Sequence, residues 1–429
     1  MHLRTPPQPV GMLVLLGSAC IATASEAPAA DPPPGDPDAS CVATLVEEHY
    51  LETSDGRHLY VEPRFVDVAG GAILVAGTPT YAWTVEGGRE GAVLRASGPL
   101  GGPFFGAIFD RSEARVIPLP PEAGPVRWVH GTNFADGRRG FVMEAAESQR
   151  SEAPHRAVLY AEFGPAGWEI VEELEGPELG RFLFGVASPP TRSGGDVIWG
   201  VVHSRDALMS LATYRRTPSG WQGPSVSDAS ANTVAALTSP SGPTGFVVAG
   251  LDPATGHQLS SLRLYQAVAH SPELLAEPAA TVWTAGPDEQ LHGLLSAETR
   301  DGAQLAWISR GGDRDGAWVL SVAAATAGGP MLIDAEASSV SLMGSRGEWS
   351  YWLTSAADSA SGTARLRLHR TSASASERIA DVPSPFIGLS SGTLSPAGEI
   401  VVVGPEAHFE TTPPFVRSLV LRFSLVCDP

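Results

Sequence analysis

Two histidines, His130 and His292, hold equivalent places in a recurring triplet of an apolar, a variable and a small residue: Val129-His130-Gly131 and Leu291-His292-Gly293. Imidazoles repeated in this way could ligate a metal or line a polar channel. A metal site gathers three or four ligands at about 2.0–2.2 Å. No carboxylate recurs beside either histidine, so the pattern predicts channel-lining side chains and no bound metal. A second set follows apolar stretches: His203 with Arg205 and Asp206, Arg310 with Asp313, Arg314 and Asp315, and also His155, Arg156, Asp252, His257, Glu406 and His408. Carboxylate, imidazole and guanidinium together offer acceptors and donors for a sugar or a polar peptide. Solvated loops carry such residues everywhere, so the set marks a face rather than a site.

Catalysis has little support in these residues. All 28 basic side chains are arginines, which excludes a lysine nucleophile, a Schiff base and a P-loop. No G-x-S-x-G elbow occurs, and Ser219 and Ser241 lie in ordinary turn sequences. A carboxylate pair for glycoside hydrolysis needs a separation of about 5–9 Å, which sequence does not reveal. Glu144 and Glu162 lie in or beside strands, where acids are commonplace, and Trp168 and Trp221 read as packing residues. No catalytic residue and no cofactor are expected.

The elements that position these groups repeat. Besides the two histidine triplets, Leu183-Phe184-Gly185, Val234-Ala235-Ala236, Val340-Ser341-Leu342 and Phe386-Ile387-Gly388 each lead through a turn to an apolar strand, such as DVIWGVV (196–202) or EIVVVG (399–404). An alternating strand comes next, for example RAVLYAEF (156–163) or ARLRLHRT (364–371). Period-two alternation bounded by Gly, Pro, Asp and Ser is the strand signature. The third triplet positions, 131, 185, 236, 293, 342 and 388, are spaced by 54, 51, 57, 49 and 46 residues. Four strands in about 40–50 residues is the signature of a propeller blade. An earlier, degenerate unit at 64–118 makes seven. The small residue is expected where inner strands crowd around an axis. Gly and Pro supply 84 of 429 residues, against a usual share of about 12%, which favours turns and short strands.

The chain thus resembles the broad class of seven-bladed β-propellers, including kelch-like and sialidase-like repeats of bacterial envelope proteins. The resemblance spans about 41–427 and rests on strand pattern. Kelch double-glycine and WD signatures do not recur. The Asp-box of sialidase-like propellers has its nearest counterpart in SRGGDRDGAW (309–318), where Asp313 and Trp318 match but Gly311 and Asp315 replace the Ser and the Gly.

The ends fit this reading. His2, Arg4 and the apolar run Val10–Ile21 resemble an export signal over residues 1–24, and the run is too short to span a bilayer. Cleavage at Ala22-Thr23-Ala24 would release a secreted protein. Alternatively, Leu16-Gly17-Ser18-Ala19-Cys20 resembles a lipobox, with Cys20 lipidated and no transmembrane helix. Residues 25–40 form a Pro-, Ala- and Asp-rich tether expected to be disordered, and 41–429 form the propeller domain. Residues 41–52 make an orphan strand that would complete the last blade. Export makes a Cys41–Cys427 disulfide the expected pairing. A net charge of −19 argues against nucleic-acid partners. The sequence therefore predicts an all-β, disulfide-clasped, monomeric binding scaffold for a protein or glycan, with a glycan-active hydrolase or lyase as the alternative.

Overall fold

The computed structural model describes β-strands within residues 41–427, together with short connections, most of which lie beyond residue 280. β1 (Cys41–Tyr50) comes first. It is followed by β2 (Leu59–Ala69), β3 (Ala72–Tyr81), β4 (Trp83–Glu86), β5 (Val93–Ala96), β6 (Phe105–Asp110) and β7 (Glu113–Pro118). Next are β8 (Val126–Asn133), β9 (Arg139–Ser148), β10 (His155–Gly164), β11 (Gly167–Leu174), β12 (Arg181–Thr191), β13 (Gly195–His203), β14 (Met209–Thr217) and β15 (Gly220–Ser230). Then come β16 (Thr233–Leu237), β17 (Gly245–Leu251), β18 (Leu259–Gln266), β19 (Ala280–Thr284), β20 (Gln290–Thr299), β21 (Gly302–Arg310), β22 (Gly316–Ser321) and β23 (Met331–Asp334). The chain ends with β24 (Ala337–Arg346), β25 (Trp349–Ala357), β26 (Ala364–Thr371), β27 (Ser376–Pro383), β28 (Ser391–Leu394), β29 (Glu399–His408) and β30 (Phe415–Cys427). No helix occurs among the described residues, and hence none long and apolar enough to cross a membrane.

Pairing is antiparallel and follows chain order. Six sheets are four-stranded, β2-β3-β6-β7 and then each successive set of four from β8 to β27. The last sheet runs β28-β29-β30. Two segments from the start of the chain share the outer edge of β30: β1 pairs along 419–427, and the β4–β5 hairpin pairs at Phe415 and Val416. The sequence foresees the first of these pairings. It places Trp83–Val85 within the first sheet, whereas the structure adds them to the last.

The core consists of layers between sheets. Along β21, Leu305 and Trp307 face Leu262 and Trp283 of the preceding sheet. Ala306 and Ile308 face Val340 and Trp352 of the next. Strict alternation thus buries both faces, and Ala303–Ser309 form one unbroken buried run. Tyr351, Leu353 and Leu366 meet Ile400, Leu419 and Phe423 in the next layer. Trp221 packs edge-on against Tyr160 with ring centroids 5.0 Å apart, the packing role expected of it.

At Gly293 the small residue of the triplet has a different cause from the one expected. A Cβ at Gly293 would meet nothing within 4 Å, so crowding does not select it. Gly293 sits at φ 62° inside a register shift between His292 and Leu295. A glycine adopts that conformation without a Cβ penalty, and the bulge bends the strand. First strands β2, β8, β12 and β24 carry shifts too. The last triplet also moves: Phe386 makes an isolated bridge to Glu406, and the first strand of that sheet begins later, at Ser391.

Candidate functional site

Antiparallel order sends the connection between second and third strands, and that between the fourth strand and the next sheet, to the same edge of each sheet. Three polar knots occupy this edge in the described part. In the first, Glu289 lies between β19 and β20 with its side chain 2% exposed. Its carboxylate accepts from Trp283 Nε1 at 3.1 Å, Ser309 Oγ at 2.7 Å and the Gly286 N–H at 2.8 Å, and also pairs with Arg314. The Arg314 guanidinium covers the Trp283 ring at 4.0 Å, and Trp318 Nε1 donates to the Arg314 carbonyl at 2.9 Å. The segment resembling an Asp-box is thus a packed turn whose aspartates are exposed.

The second knot surrounds Asp334. It accepts from Thr354 Oγ1 at 2.6 Å and from Arg367 Nη1 at 2.8 Å, with His369 Nε2 at 3.6 Å. Arg367 also reaches Glu336 at 2.5 Å and Asp381 at 3.3 Å. Burial would raise the Asp334 carboxyl, but the neighbouring His369, the hydrogen bond from Thr354 and the Arg367 charge outweigh it and hold the group well below the usual carboxylate range. In the third knot, Glu406 binds His408 at 2.7 Å and Arg417 at 3.3 Å.

The predicted residues fare unevenly. Cys41 and Cys427 stand opposite each other in the β1–β30 register and are disulfide-bonded. His292 is exposed on β20; its partial burial and then the charge of Arg310 lower its pKa. Asp313 and Asp315 are exposed in the connection before β22. His130 and His203 lie on β8 and β13, but their side chains are outside the described residues. Arg205, Asp206, Cys20 and all of residues 1–40 are outside them as well. Among the described residues, no three His, Cys, Asp or Glu side chains are placed to hold a metal. Sequence reasoning missed Glu289, Asp334 and Arg367 because no motif surrounds them; Glu289 meets Ser309 from 20 positions away, and Asp334 meets Arg367 from 33.

No family model matches the chain, and no curated protein matches it. Solved structures do. The polysaccharide lyase Uly1 superposes with a TM-score of 0.51 over 89% of this chain and 99% of its own, at 9% identity. An oligogalacturonate lyase in complex with manganese gives 0.51 over 90% and 98%, at 9% identity. A protein of unknown function from Dyadobacter fermentans gives 0.49 over 91% and 100%, at 13% identity. The structural neighbours include propeller-fold, glycan-active proteins, and at such identities the likeness carries the fold alone: all-β, of propeller type.

Proposed function

We propose that the chain is an exported, seven-bladed, closed-ring β-propeller that acts as a binding scaffold at the cell envelope or outside the cell. One observation carries the reading. On the edge where connections gather, the buried acids Glu289 and Asp334 are tied to arginines, which leaves the exposed His292, Asp313 and Asp315 along a polar rim. Charges engaged in this way hold loops; a catalytic acid needs access to substrate. Support for the ring comes from first strands that pack in order, β2 on β8, β8 on β12, β12 on β16, β16 on β20, β20 on β24, β24 on β28 and β28 on β2. The apolar run at 10–21 and the disulfide support export. The mass of the mature protein tests the anchor: a lipidated Cys20 terminus fits a tethered lipoprotein, and Ser25 fits secretion. The partner is a protein or a glycan, and the chain is read as a monomer.

The second reading, a glycan-active enzyme, draws on the names of the polysaccharide lyase and the oligogalacturonate lyase among the structural neighbours. A thermal-shift panel of glycans and divalent metals, run beside an assay for unsaturated uronate products, separates the two. A scaffold ligand at about 100 times its Kd adds about 2.7 kcal/mol and moves the midpoint without turnover. Turnover abolished by a single acidic substitution sinks the scaffold reading.

A further inference from the structure

The last sheet carries an aromatic and charged cluster away from the first-strand histidines. β1 and β30 run in register from Cys41↔Cys427 to Leu45↔Phe423, and the register then shifts between Leu45 and Glu47. Before the shift, Cys41, Ala43 and Leu45 face the apolar layer. After it, Tyr50 stands opposite Leu419, which belongs to that same layer. The extra residue, Val46, therefore turns the end of β1 over and brings Tyr50 to the face on which Arg417 precedes Leu419 by two positions. Bulges re-aim side chains in this way.

On that face the Arg417 guanidinium lies 3.1 Å from the Tyr50 ring centroid. Glu406 stands opposite Arg417 in the β29–β30 register and accepts from its Nε at 3.3 Å. His408 Nε2 meets the same carboxylate at 2.7 Å and its ring stacks on Phe415 at 4.7 Å. The three polar side chains are only 12–18% exposed, while Tyr50 is 39% exposed. A half-exposed ring thus sits on a fixed polar base.

A pyranose presents an apolar C–H face and hydroxyls that both donate and accept. An aromatic ring takes the face, while a carboxylate and an imidazole take the hydroxyls. Glu406 and Arg417 compensate each other, and the chain carries −19 overall, so an acidic uronate is disfavoured. We propose that Tyr50, Glu406 and His408 form a subsite for a neutral pyranose unit of a glycan, with Arg417 holding the covered face of the Tyr50 ring. The proposal rests on the scaffold reading and specifies its ligand.

The test is calorimetric titration of the mature chain with gluco-, manno- and galacto-oligosaccharides, with oligogalacturonate as the acidic comparator. One neutral sugar binds, Tyr50→Ala weakens it about tenfold, and Tyr50→Phe stays within about threefold. Val42→Ala, exposed near the other end of β1, leaves binding unchanged. Should Tyr50→Ala melt early, His408→Ala carries the same expectation of weakened binding. Unchanged affinity in a normally melting Tyr50→Ala overturns the subsite and leaves the scaffold reading standing. A panel in which no neutral sugar binds also overturns it. Cleavage of any sugar overturns the scaffold reading separately.

Discussion

The densest charge in the described part is buried around Asp334, whose side chain is 3% exposed. Thr354 gives its proton to Asp334, so its oxygen accepts from His369 Nε2 at 3.0 Å. Burial, partly opposed by Asp334, lowers the pKa of His369. Both groups act in one direction. The unfolded chain protonates histidine near pH 6.5 and aspartate near pH 4, roughly, while the folded chain resists both. The unfolded state therefore binds more protons as pH falls, and stability drops with it. The melting temperature should fall first below about pH 6.5 through His369, and again below about pH 4 through Asp334. In His369→Gln the upper limb flattens and the lower limb persists, as thermal melts across a pH series would read.

At the scale of elements, glycines fix the turns that carry these knots. Gly311 has φ 84°, and a Cβ there would strike the Asp288 carbonyl oxygen in the connection that presents Glu289. Gly293 has φ 62° but open space around it. Gly311→Ala combines backbone strain with collision and should cost roughly 1–3 kcal/mol or more. Gly293→Ala meets strain alone, about 1 kcal/mol. Urea midpoints for the two variants should fall in that order. The same comparison shows what the triplet spacing hid: a period in sequence finds the first strand, but a bulge and a crowded axis both favour a small residue there.

For the whole molecule, the β1–β30 pairing unites chain segments separated by 386 residues, and the disulfide fastens it. Arg370 lies against Cys41 Sγ at 2.7 Å and pairs with Glu377 at 2.5 Å, tying this clasp to the preceding sheet. Closing so long a loop is worth at most about 5–6 kcal/mol by chain entropy. The double variant Cys41→Ser, Cys427→Ser should melt well below the native chain, and reductant should lower only the native chain's midpoint. Equal midpoints would mean that strand pairing alone holds the ends.

Strand alternation, Gly and Pro spacing and the position of two cysteines determined the all-β class, the four-stranded units and the Cys41–Cys427 pair, because these depend on local periodicity and on a count. The tertiary structure alone decided that the β4–β5 hairpin joins the last sheet and that the 309–318 segment is a packed turn. It alone also aimed Tyr50 at Arg417. Those outcomes depend on which distant edge is open and on a single extra residue in a register, and a hydrogen bond to a partner hundreds of positions away leaves no periodic trace in the chain.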